Sequence, residues 1–228
     1  MTPLYRTILL IAFYAYTGKI EAQSTDGYQA AFPGSNMTLL YDININTGKT
    51  GTGIEETYNG GVKTVMIKND RVRIRLVSLM RIQSIYFFKR DSALSKVLIT
   101  KESGEKKYKY SLTASDWKFY NAKYDSLTYT FLDDSISVAG YNCKKAIISL
   151  KDGKEVVAYY STALKSLDKF VEPMFAGLPG IVLRYEHEES KGTISFTVSK
   201  ISMDPIDDHI FAEPTRGYKT QRYRPSSR

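Results

Sequence analysis

The chain has 228 residues, 43% of them hydrophobic and 25% charged, with one cysteine and a formal net charge of +8. A lone Cys143 excludes an intramolecular disulfide, so a stapled miniature scaffold is ruled out and a core must hold the fold. The charge is not a nucleic-acid footprint: Arg216, Lys219, Arg222, Arg224 and Arg228 put five charges after Thr215 with no acid, the leader carries one, and +2 is left on the body.

Residues 1–22 begin with a basic Arg6, continue as the apolar run TILLIAFYAY and end IEA, the pattern of a secretory signal peptide cleaved before Gln23. The alternative is an N-terminal anchor that is never removed. The run is well short of the ~20 residues of a transmembrane helix, and no later stretch is apolar enough to span. No cysteine follows it for lipoprotein processing. Residues 23–214 are therefore expected as one exported β domain, and 215–228 as a basic, disordered tail. Such a tail would either solubilise the chain or bind an anionic envelope surface.

Alternating strands dominate the body. MTLLYDINI reads as the first, and VMIKNDRVRIRLV as a hairpin turning at Asn69-Asp70. There Val72, Ile74 and Leu76 alternate with Arg71, Arg73 and Arg75, which are expected on a solvated face. SIYFF, KVLIT, KYKYSL and LTYTFL follow, with a turn at Ser103-Gly104 and a short turn of helix around Trp117. AIISLKDGKEVVAYY is a second hairpin, turning at Asp152-Gly153. In STALKSLDKFVEPMFAG, Leu164, Leu167, Phe170 and Val171 lie at helical spacing, with Ser161 or Thr162 as cap and Pro173 as terminator. GTISFTVSK closes the set. These signals predict a mainly β fold: one antiparallel sheet, strongly curved or closed, with one helical segment inserted between late strands.

The stretch MFAGLPGIVLRYE, residues 174–186, joins that segment to a strand. Pro179 and Gly180 suit the second and third positions of a type II turn, and Gly177 suits a helix end. A phosphate loop needs the reverse order of strand and helix, and a nucleophile elbow needs a Ser or Cys between glycines. The stretch is a corner of the fold.

With KNDRVRI, GYNCKKAIISLKDGKEVVAYYS and MFAGLPGIVLRYE together, the chain resembles the GLPGLI family of exported Bacteroidota proteins over roughly residues 37–214. Ile181-Val182 stand where the family name has Leu-Ile. That family is similar in turn to the LolA- and LolB-like lipoprotein carriers. The resemblance implies a half-open barrel sheltering a lipid or lipoprotein acyl chain, in the periplasm, elsewhere in a Gram-negative envelope, or outside the cell. It also implies a lid over residues 163–175 whose Leu167, Phe170, Met174 and Phe175 point into the concavity. The alternative is that these four complete a dry core.

Catalytic and metal chemistry find little support. Cys143 has Lys144 and Lys145 beside it, but neighbours on a strand face opposite ways, and an inert buried thiol is expected. His187 and His209 each sit among carboxylates, yet each cluster offers a single histidine, so no metal or other cofactor is expected. Ser92, Ser126 and Ser135 lie in Asp-Ser-aliphatic triplets that resemble Bacteroidota O-glycan sites. The leading expectation is a non-enzymatic binder of an apolar or amphipathic ligand. The competing ones are an envelope interaction module with a filled core and a hydrolase with an unrecognised carboxylate site.

Overall fold

The computed structural model describes residues 36–46, 59–189 and 192–223; the expected signal peptide lies outside them. Twelve strands form one sheet: β1 (Asn36–Asn46), β2 (Val62–Lys68), β3 (Arg71–Val77), β4 (Ile82–Arg90), β5 (Ala93–Ser103), β6 (Lys106–Thr113), β7 (Thr128–Val138), β8 (Tyr141–Ser149), β9 (Glu155–Ser161), β10 (Ile181–Glu189), β11 (Gly192–Ser202) and β12 (Lys219–Arg222). Their order is β12-β6-β5-β4-β3-β2-β1-β11-β10-β9-β8-β7, so the sheet is open, with β12 and β7 at its edges. All neighbours run antiparallel except β12, which lies parallel to β6.

The hairpins form where the turn chemistry demands them. Asn69 takes a positive φ of 56° between β2 and β3, and Asp91 and Ser92 take 50° and 64° between β4 and β5. Ala139 and Gly140 do the same between β7 and β8. Such turns match the twist of the strands they join. Between β8 and β9 the Leu150–Lys154 loop closes with Leu150 N donating to the Lys154 carbonyl, and Gly153 at φ 80°.

One face of the sheet carries the main core: Leu39 and Tyr41 of β1, Val65 of β2, Ile74 of β3, Val97 of β5, Ile148 of β8 and Leu183 of β10. Two elements cover it. The α-helix α1 (Ala114–Tyr120) starts in a capping box, with Thr113 Oγ1 accepting from Asp116 N, and buries Trp117. The second cover is the connection between β9 and β10, residues 162–180. It buries Leu164, Val171 and Leu178 but contains no α-helix, only the 3₁₀ turn Pro173–Phe175.

The inserted helix expected there is therefore absent, and its carbonyls show why. Trp117 Nε1 donates to the Phe170 carbonyl at 2.7 Å, and Tyr129 Oη to that of Met174 at 3.2 Å. Lys89 pairs with Asp168 and Lys63 with Glu172, drawing both carboxylates to the sheet. Pro173 holds Glu172 at φ −130°, ψ 81°, outside the helical region.

The opposite face of the β1–β6 half is covered by residues 203–218, which contain the 3₁₀ turn Asp208–Phe211. The arginine row expected in solvent lies under this segment. Arg71 pairs with Asp208, Arg73 donates to the Ile210 carbonyl, and Phe211 is buried below. Lys96 and Lys109 both hold Glu213. Held this way, the chain runs on into β12, so part of the tail expected to be disordered is a strand, and the sheet is mixed.

The GLPG corner turns for a reason other than the one its residues suggest. Gly180 does not take a positive φ, so the expected type II turn is absent. Instead, a Cβ at Gly180 would collide with the Ser161 carbonyl, and one at Gly177 with the Tyr129 ring. Both glycines permit close approach. We expect Gly180→Ala to cost about 3 kcal/mol in urea denaturation, through overpacking. Gly153→Ala, strained in φ but open in space, should cost only about 1 kcal/mol. Equal losses would show that the corner yields freely.

Candidate functional site

Between the core face and its two covers lies a half-open cavity of about 920 Å³. Ile74 and Leu76 of β3 and Ile85 of β4 line one part of it, and Tyr185 of β10 and Phe196 of β11 another. The covers contribute Trp117 and Tyr120 from α1, Lys123 and Tyr124 from the 3₁₀ turn Ala122–Tyr124 that follows it, and Met174 and Phe175 from the β9–β10 connection. Tyr185 stacks on Phe196 with centroids 4.4 Å apart, and Phe175 meets Tyr185 edge-on at 5.0 Å. The lining is mostly aromatic and aliphatic, which suits an apolar guest.

At one end of this wall sits Lys63 of β2, its side chain only 7% exposed. Its Nζ pairs with Glu172, donates to Tyr185 Oη at 3.3 Å, and lies 4.7 Å from the Tyr41 ring centroid and 5.0 Å from that of Tyr185. Burial is the largest single influence and works against the charged lysine, but the charge and hydrogen bond of Glu172, with Tyr41 beside them, together hold the Lys63 pKa above its ordinary value. Burial likewise pushes the Tyr41 and Tyr185 phenols well up. Tyr41 Oη donates to the Val182 carbonyl at 2.7 Å, so the phenol is held neutral and anchored.

Each of these groups keeps its proton in the folded state beyond the pH at which the unfolded chain would release it. Folding stability from them is fully present below about pH 10 and is lost as pH rises through their higher folded values. The urea midpoint should begin to fall near pH 9, where the buried Cys143 thiol contributes, and fall further above about pH 10, with a shallower fall there in Lys63→Met/Tyr41→Phe. At pH 7, Lys63→Met alone should cost about 3 kcal/mol, because Glu172 is left partly buried without a counter-charge. The double change Lys63→Met/Glu172→Leu should recover most of that loss. No recovery would show that the pair acts through packing alone.

The four residues expected to form the lid are not brought to one place. Met174 and Phe175 line the large cavity. Phe170 packs 6.1 Å from Phe87, with its carbonyl held by Trp117, and lies half-buried against the core. Leu167 lines a separate cavity of about 280 Å³ with Leu178, Ile181 and Val182, which Phe175 also borders. Lys63, Glu172, Trp117, Tyr185 and Phe196 were not expected at a site. One signal for them is in the sequence: in VKTVMIK, Lys63 stands in the alternation of Val65 and Ile67, at an apolar position.

Cys143 is fully buried on β8, and burial pushes its thiol up to about 11. A disulfide reagent at pH 8 should react with it only as fast as the chain unfolds; rapid labelling of the native protein would contradict this placement. His187 stacks near Phe196, and burial lowers its pKa; His209 is exposed and pairs with Asp207 at 2.7 Å. Among the described residues no three His, Cys, Asp or Glu side chains converge as a metal site would require. Ser92, Ser126 and Ser135 are all exposed, the first two at positive φ.

No family model matches the chain, and no curated protein matches it. Among solved structures it is similar to that of PNGF-II, with 13% identity and a TM-score of 0.46 over 83% of this chain; it spans 31% of that one, under a third of its length. It is also similar to MucB, with 12% identity and a TM-score of 0.36 over 80% of this chain and 59% of that one. A third likeness is to a beta-barrel-like protein of domain of unknown function DUF1849 from Brucella abortus, with 8% identity and a TM-score of 0.29 over 75% of this chain and 99% of that one.

Proposed function

We propose that this chain is an exported, non-enzymatic protein of the GLPGLI kind that holds an apolar or amphipathic ligand between its sheet and the β9–β10 connection, in the manner of a half-open, LolA-like barrel. A lipid or the acyl chain of a lipoprotein is the natural guest, and the envelope or periplasm of a Gram-negative cell the natural place. The observation that carries this reading is the cavity of about 920 Å³ lined by Ile74, Leu76, Ile85, Phe175, Tyr185 and Phe196. Apolar side chains around unfilled space forgo packing, and a guest restores it.

A second reading, an envelope docking module, has its own observation. Leu79 and Met80, at the tip of the β3–β4 hairpin, are 85% and 63% exposed. A partner protein could cover them.

Organic extraction and mass spectrometry of the protein, purified without detergent from its native envelope, separates the two. The ligand reading expects stoichiometric lipid or acylated peptide. It further expects Leu76→Trp, which fills the cavity, to lower the bound amount at least about tenfold while the protein stays folded. An empty extract, repeated after exposure to lipid, would favour docking through the hairpin tip.

A further inference from the structure

Tyr120 and Tyr223 meet edge to face at 6.0 Å, and both border two cavities at once. Beyond the large one lies a second of about 580 Å³, walled by Ile99 and Lys101 of β5, Tyr110 of β6, and Gln221 and Arg222 of β12. The two differ in charge. In the first, Lys63 is neutralised by Glu172. The second has Lys101 and Arg222 and no carboxylate in its lining.

Neither cation forms an ion pair among the described residues. Lys101 lies 5.6 Å from the Tyr110 ring centroid, while its neighbour Glu102 is occupied by Lys107 and Tyr218. Asp116 feels the charge of Arg222, but its carboxylate accepts from Thr113 N and Thr113 Oγ1 in the helix cap. Lys123, on the wall of the large cavity, also has no acidic partner among the described residues and rests over Tyr124. The large cavity is therefore apolar over most of its lining, with Lys123 at its wall, and the second, which shares Tyr120 and Tyr223 with it, is bordered by two cations without an acidic partner among the described residues.

We propose that the two cavities form one site for an amphipathic anion, with its apolar chain against Ile74, Ile85 and Phe196 and its oxyanion head, of the phosphate class, between Lys101 and Arg222. This rests on the large cavity being a ligand site. A guanidinium presents paired donors to an oxyanion, and a lysine adds a point charge. The reading also gives β12 a task. Its parallel pairing with β6 sets Gln221 opposite Tyr110 and lays this edge strand along the mouth, where Arg222 and Tyr223 border the cavity.

Trp117, the only tryptophan in the chain, lines the large cavity and reports its filling by fluorescence. The protein is titrated with dodecyl phosphate, dodecyl maltoside and dodecyltrimethylammonium, each as monomer. Dodecyl phosphate should bind at least about tenfold more tightly than the ammonium, the scale of one charge-assisted contact. Lys101→Gln/Arg222→Gln should erase that preference and leave the maltoside affinity unchanged. Binding without a preference for the anion, or a preference that survives in the variant, overturns the head site and leaves the apolar cavity standing. No response to any of the three overturns both. Competition by inorganic phosphate supports the oxyanion site and assigns it to a free ion. Lack of competition, with the alkyl preference intact, supports a lipid head.

Discussion

The ammonium of Lys63 enters the sheet at a position where β2 otherwise places Val65 and Ile67, and burying it there costs several kcal/mol unless a counter-charge is delivered to it. That counter-charge is Glu172, from a part of the chain more than a hundred residues away. The position of the β9–β10 connection follows from this demand. Glu172 must reach Lys63, Asp168 must reach Lys89, and the Phe170 and Met174 carbonyls are taken by Trp117 and Tyr129. A segment held by side chains at four points has no need of a helical ladder.

The cavity is the other side of the same arrangement. Because the connection is tethered by polar contacts as well as by Leu164, Val171 and Leu178, it need not collapse onto Ile74, Leu76 and Ile85 to be stable. Phe175 and Tyr185 meet edge-on, and Tyr185 stacks on Phe196. These rings build a wall that keeps its shape when nothing leans against it. A floor of aliphatic side chains, a rigid aromatic wall and a charge-clamped cover are the physical requirements of a chamber that stays open in a core otherwise packed.

Most of the sheet was legible in the residues because its turns require particular backbone conformations. Asn69 and Gly153 each take a positive φ, and each marks the hairpin expected at that point. The 162–180 connection was legible in composition but not in geometry. Leu164 and Val171 are buried as their spacing implies, yet their helical periodicity was overruled by partners on α1, β2, β4 and β7 that no local pattern reveals. The GLPG corner shows the same split: its glycines matter, but through Ser161 and Tyr129 rather than through φ. The tail misled for a related reason, since its cations looked like a solvated end while Glu213 and Tyr218 were binding the preceding chain to the sheet. At the candidate site, Met174 and Phe175 were within reach of sequence reasoning; Tyr185, Phe196 and Trp117 come from three separate elements and converge only in three dimensions.

The two margins of the sheet bear on how copies of this chain behave when crowded together. One margin ends in β12, four residues long, which offers an incoming strand almost no ladder to extend. The other, β7, has eleven residues, but its pairing with β8 is interrupted between Phe131 and Ser135, where Asp133 and Asp134 stand exposed. A bulge bearing Asp133, with Asp134 beside it paired to Lys145, is a poor template for a neighbour's backbone, and two copies meeting there would set the Asp133 charges against each other. A twelve-stranded open sheet would ordinarily invite polymerisation along both sides. Here one side is too short to seed it and the other repels it, so the unpaired backbone of so large a sheet need not become a route to fibres.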